Sequence, residues 1–223
     1  IISRYRRTHQ GWDAFSDKVV VQLNDTHPAV AILELLRILV DEEEMPWDES
    51  WEIVKRTFAY TNHTLLPEAL ETWSEGLFSK VLPRHYDLVL EVNRRFLHDE
   101  VDTIFPDDIE KRNRMAIVSN GQIRMAHLSV VGSHSVNGVA ALHTKLLKEK
   151  LLNDFAKLYP SRFNNKTNGI TPRRWLIGCN PRLAELIESR IGPSWVRNAS
   201  LLRELEKHAD DISFQEEFRS IKA

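Results

Sequence analysis

The chain has 223 residues, 42% hydrophobic and 28% charged, the balance of a globular protein with a sizeable core. Its 30 basic residues are offset by 32 acidic ones and do not cluster, which argues against nucleic acid as a partner. The single cysteine, Cys179, excludes an internal disulfide and a cysteine-based metal site and fits a reducing, cytoplasmic setting, and no run approaches the roughly 18 apolar residues of a membrane span.

Both ends, IISRYRRTHQ without a methionine and FRSIKA in a helical pattern, read as cuts through a longer polypeptide. The segment VVVQLNDTHPAVAILELLRILVD then predicts a buried parallel strand, a polar elbow at Asn24-Asp25-Thr26-His27, and a helix from Pro28 with Val30, Leu33, Leu36 and Leu39 on its apolar face. The acidic string DEEEMPWDES reads as an exposed helix end and turn before a helix over 47–57. TFAYTNHTLLPEALETW repeats the pattern, an apolar run into Thr61-Asn62-His63-Thr64 and then a helix from Pro67 that would hold Glu68 and Glu71 within reach of one another. A helix over 83–101 follows, then a strand near 125–131, a loop at Gly132-Ser133-His134-Ser135, and a helix to about Leu151. SRFNNKTNGITPRRWLIG brings Asn164, Asn165, Lys166 and Asn168 to a glycine-containing turn. Helices over 180–191, capped by Asn180 and closed by Gly192, and over 199–208 complete the pattern.

His, Asn, Asp, Thr and Ser gather at these junctions, with few strong cations. Such side chains both donate and accept, which suits an uncharged polyhydroxylated ligand at the carboxyl ends of the strands of an open α/β sheet. A phosphate or nucleotide would call for a glycine-rich loop or several Arg and Lys, and GSHSVNG lacks dinucleotide-fingerprint spacing. Taken singly, the Asn, Asp and Thr residues also serve as helix caps, and His127 and His134 read as buried, hydrogen-bonded histidines. Nine histidines without an HExxH or i, i+4 pair predict no metal site. The sequons at Asn62, Asn165 and Asn198 read as accidents of composition.

Four strings, QLNDTHP, AYTNHTLLPEALE, GSHSVNGVAALH and FNNKTNGITPRRWL, in this order and spacing, resemble the α-glucan phosphorylase family of glycogen, starch and maltodextrin phosphorylases. The resemblance covers essentially all 223 residues but only the middle of a much longer family chain. It implies an α/β fold of glycosyltransferase-B type, two Rossmann-like domains facing across a cleft. Residues 1–166 would be the later part of the N-terminal domain and 167–223 the start of the C-terminal one. The family reaction is reversible phosphorolysis, in which inorganic phosphate takes the terminal α-1,4-linked glucosyl unit to give glucose 1-phosphate.

By the same resemblance His63 is the catalytic position, its imidazole on the 6-hydroxyl of the glucosyl unit and its carbonyl facing the ring where positive charge develops. Asn168 reaches the same hydroxyl, Val139 packs on the sugar, and Asp25, His27, Thr64, Ala69 and Glu71 line a side channel. The family cofactor is pyridoxal phosphate, whose attachment lysine is not in this chain, so no cofactor-binding residue is expected here and the fragment alone would be inactive. The full-length protein would be a homodimer acting on α-1,4-glucan and phosphate. Ser3-Arg4, where animal members place two arginines, implies weak or absent nucleotide activation. Leu90, Arg94 and Ser119-Asn120 depart from the animal glycogen-storage surface, while Asn93 keeps it. Two other classes stay open at this stage: a carbohydrate-binding module, and an α-glucosidase pairing Asp25 with Glu68 or Glu71.

Overall fold

The computed structural model describes residues 1–222. The chain divides into two compact units, Ile1–Asn168 and Gly169–Ala223, where the sequence leads one to expect a division after residue 166.

The described strands are β1 (Val21–Asn24), β2 (Phe58–Thr61), β3 (Thr72–Ser74), β4 (Val118–Ser119), β5 (Gln122–Arg124), β6 (Ser135–Gly138) and β7 (Phe163–Asn165). All lie in the first unit. Four of them form a parallel sheet in the order β1-β2-β6-β7. The mixed α/β architecture with a parallel sheet fits the glycosyltransferase-B type. In β2, Phe58, Ala59 and Tyr60 are all buried, so this strand is apolar without alternation, as a strand covered on both faces must be. Leu23, Tyr60 and Val136 join Ile32, Leu33 and Leu36 of the helix Val30–Arg37 in one continuous core. The register sets Asn24 opposite Thr61, Thr61 opposite Asn137, and Gly138 opposite Asn165, so the four carboxyl ends come level. That alignment positions the site.

β3, β5 and β4 form a small antiparallel sheet. Asn120 and Gly121, both at positive φ, close the β4–β5 hairpin, the geometry an Asn-Gly turn favours.

Three elements differ from expectation. Residues Met125–Val131 form a helix, and the strand is Ser135–Gly138. The run is mostly apolar, which periodicity alone cannot separate from a buried strand, and in the helix the Ser129 hydroxyl is satisfied by donating to the Met125 carbonyl one turn back at 2.8 Å. The loop assigned to 132–135 therefore ends one residue earlier, and a helix begins only at Ala141, running through Leu146 and on to Leu151. After Pro67 there is a single turn, Pro67–Ala69, because the chain is drawn straight on into β3, so Glu71 precedes a strand and shares no helical face with Glu68. His134 is exposed rather than buried, its main-chain N–H reaching the Phe58 carbonyl at 3.0 Å.

In the second unit, Asn180 accepts from the Leu183 N–H at 3.1 Å and caps the helix Pro181–Ile191. Gly192, at φ 74°, ends it. Trp195 is buried against Ala184 and Ile187, giving this unit its own small core.

Candidate functional site

The carboxyl edge of the parallel sheet carries most of the residues singled out from sequence. At the end of β1, Asp25 adopts φ 64°, a left-handed conformation uncommon for a residue with a Cβ. It is held there from both sides. Its N–H donates to the Thr61 carbonyl at 3.0 Å, and its Oδ1 accepts from the Thr26 N–H at 2.8 Å. The reversal buries Thr26, whose hydroxyl donates to Glu71 Oε2 at 2.7 Å, while Glu71 Oε1 accepts from Trp73 Nε1 at 2.9 Å. His27 projects outward, its side chain 81% exposed, with Nδ1 3.9 Å from Glu71 Oε2. The elbow and Glu71, 45 residues apart, thus meet as one cluster.

At the end of β2, Asn62 is fully buried. It acts as a brace: its N–H donates to the Asn137 carbonyl at 2.9 Å, Nδ2 to the Tyr60 hydroxyl at 3.0 Å, and Oδ1 accepts from the Thr64 N–H at 3.1 Å. Burial, reinforced by the Asp25 carboxylate, pushes the Tyr60 phenol above its ordinary range, so it stays protonated. Such enclosure also leaves the Asn62 amide closed to glycosylation in the folded protein. His63 is exposed and turned towards β1, its Nε2 2.6 Å from Asn24 Oδ1. Because an amide oxygen only accepts, Nε2 carries the proton in this pairing. Thr64 is partly buried and its hydroxyl accepts from the Leu66 N–H at 3.1 Å; Ala69 lies exposed on the following turn.

At the ends of β6 and β7, the Val139 carbonyl accepts from the Asn168 N–H at 2.9 Å, and the Val139 N–H donates to His143 Nδ1 at 3.2 Å. The Thr61 hydroxyl donates to Asn137 Oδ1 at 2.9 Å and cross-links the ends of β2 and β6, while the Thr144 hydroxyl, on the helix Ala141–Leu146, donates to Asn165 Oδ1 at 2.9 Å and ties that helix to the end of β7. Asn168 itself is exposed.

The chemistry of the edge is therefore amide, hydroxyl and imidazole, with Asp25 and Glu71 to one side. One cation, Lys166, stands on it, exposed. That set can hydrogen-bond to sugar hydroxyls and does not make a cradle for a phosphate ester. Sequence reasoning missed the supporting parts of Asn24, Asn62, Asn137 and His143. All four stand inside the quoted strings, His143 as the last letter of GSHSVNGVAALH, but their contacts are tertiary and no spacing within the strings marks them.

Fold and edge together define an α/β protein whose parallel sheet carries a neutral amide, hydroxyl and imidazole edge. The family description "Carbohydrate phosphorylase" matches residues 1–223. The chain is 51% identical over 214 residues to the muscle form of glycogen phosphorylase from Bos taurus, covering 95% of this chain and 25% of that protein. It is 50% identical over 214 residues to the liver form from Homo sapiens, again 95% and 25%, and 48% identical over 233 residues to the brain form from Mus musculus, 100% and 28%. The chain belongs to the carbohydrate phosphorylase family, and it spans about a quarter of the length of these relatives.

Proposed function

We propose that this chain forms the glucosyl-binding wall of an α-glucan phosphorylase, which transfers the terminal α-1,4-linked glucosyl unit to inorganic phosphate and releases glucose 1-phosphate. The observation that carries the reading is the convergence of His63, Thr64, Val139, Asn168 and the Asp25–His27 elbow with Glu71 on one edge of a parallel sheet. On this reading the His63 imidazole leaves Asn24 or shares it with the 6-hydroxyl of the sugar, and the His63 carbonyl faces the ring carbon that gains positive charge. Neutral dipoles and a carbonyl fixed in advance stabilise such a centre without reorganising. Asn168 supplies a second amide to the same hydroxyl, and Val139 excludes water from the sugar face. Asp25, His27, Thr64, Ala69 and Glu71 bound the adjoining side channel.

Pyridoxal phosphate, the family cofactor, supplies acid–base chemistry through its phosphate group. The residues of this edge do not fit it, since they include neither a phosphate cradle nor an enclosed lysine, so its attachment and the grip on substrate phosphate fall to the remainder of the protein. The 223 residues alone are then inactive, and the full-length protein is a cytoplasmic homodimer. Incubating that protein with maltoheptaose, with and without phosphate, tests the reading. Glucose 1-phosphate formed only with phosphate supports it; glucose released without phosphate, or binding with no reaction, overturns it.

A further inference from the structure

His143 lies behind the sugar-facing wall, on the helix Ala141–Leu146, and none of the roles above uses it. Its Nδ1 accepts the Val139 N–H at 3.2 Å. Nδ1 is therefore unprotonated, and in the neutral ring the proton sits on Nε2. Nε2 is buried without a hydrogen-bond partner of its own, and the main chain of Thr64, the residue after His63, lies near the ring. The ring thus stands between the β6 end and the β2 end, beside the two segments that would hold the glucosyl unit.

The fit around it is close. A Cβ built on Gly138 would come within 2.6 Å of His143 Nδ1 and 2.4 Å of the Thr144 hydroxyl oxygen, so glycine at 138 is what lets the ring approach the strand end. The Val139 peptide is held at both ends, by His143 at its N–H and by the Asn168 N–H at its carbonyl. Burial, ahead of the nearby His63, holds the His143 imidazole below its ordinary value and keeps Nδ1 an acceptor.

The geometry points to His143 as a positioning residue for glucosyl transfer: as the neutral Nε2–H tautomer it fixes the Val139 main chain and sets its distance from the His63-Thr64 segment, without touching the substrate. This rests on the glucosyl-wall reading above. A group that fixes a wall needed most as the ring distorts should act more on kcat than on KM.

The test uses the full-length protein with maltoheptaose and phosphate. His143→Leu keeps bulk but offers no acceptor, leaving the Val139 N–H unpaired, and should lower kcat about 10-fold with KM changed less than about 3-fold. His143→Asn returns an acceptor at the Nδ1 position and should recover kcat to within about 3-fold of wild type. Should His143→Leu fail to fold, His143→Gln, whose amide lies towards the Nε2 position, takes its place with the same expectation of loss. Equal kcat in all variants, or loss in His143→Asn as great as in His143→Leu at matched melting temperature, overturns the role. A wild-type protein that makes no glucose 1-phosphate instead overturns the reading beneath it, so the two failures are distinct.

Discussion

His63 and Asn24 stand on adjacent strand ends, and Nε2 of the imidazole lies 2.6 Å from Oδ1 of the amide. Asn24 thereby sets both the direction and the tautomer of a ring that is otherwise exposed. In the full-length protein, His63→Ala should lower kcat/KM on maltodextrin by more than about 10-fold, because the loss of a hydrogen bond worth about 0.5–1.5 kcal/mol is joined by disturbance of the carbonyl beside it. Asn24→Ala removes only the orienting contact, and a drop of about 2- to 5-fold is expected. Steady-state kinetics on both variants checks the order, and wild-type turnover in His63→Ala would sink the assignment.

The Thr26–Glu71 bond ties the elbow to the segment before β3, with His27 Nδ1 3.9 Å from the same carboxylate oxygen. Thr26 is buried, so its hydroxyl must be paired or replaced. Thr26→Val should cost about 1–3 kcal/mol of stability, since a hydrogen bond to a carboxylate is lost in a partly buried place, while Thr26→Ser should cost less than half as much. Urea unfolding of the three proteins side by side measures it. Equal stability of Thr26→Val and wild type would mean that the elbow is held by Asp25 alone.

His127 gives a pH dependence of known sign. Burial holds its imidazole down to about 4, and its Nδ1 lies 3.0 Å from the Ala116 carbonyl with the ring edge-on to Phe155 at 4.9 Å. The unfolded chain takes up this proton near pH 6.5 and the folded one only near 4, so the stability is present above pH 6.5 and is lost as the pH falls towards 4. The loss between pH 7 and pH 5 reaches at most about 2 kcal/mol, an upper bound because the residue keeps some exposure. His127→Gln should unfold with a visibly shallower pH slope over that range. An identical slope would show that other groups set the acid limit.

The edge of the sheet was legible in sequence because its residues sit in short strings whose polar letters interrupt apolar runs. QLNDTHP and AYTNHT each mark a strand end, and the strands lie where those strings place them. RMAHLSVV misled because buried helix and buried strand share one composition, and only the tertiary pairing of 135–138 with β2 and β7, which takes the place in the sheet, decides between them. The turn after Pro67 misled for a different reason: a proline that suits a helix start cannot reveal that β5 will pair with residues 72–74 and pull the chain straight. The His143 contact and the buried brace at Asn62 are tertiary, and no local pattern encodes them.

The last prediction concerns glycogen itself. The helix Pro83–Arg95 presents Leu90, 38% exposed, where an aromatic platform would be needed to lie against a sugar ring. Asn93 keeps its identity but its amide oxygen is already engaged, accepting from the Ile117 and Val118 N–H groups at 2.8 and 3.2 Å. Arg94 is bound to Glu91 by two bonds of 2.7 Å, so its guanidinium is tied down along the helix. The neighbouring Ser119-Asn120 turn offers no carboxylate to accept from hydroxyls. Without an aromatic face this surface forgoes about 1 kcal/mol of apolar contact per sugar, and without free acceptors it forgoes charge-assisted hydrogen bonds of about 1.5–3 kcal/mol each. The full-length protein should therefore sediment weakly with glycogen once its cleft is saturated with a short maltodextrin. Leu90→Tyr, which restores the platform on an exposed position, should raise the retained fraction. Tight retention of the unmodified protein under those conditions would show a storage surface elsewhere and overturn the expectation.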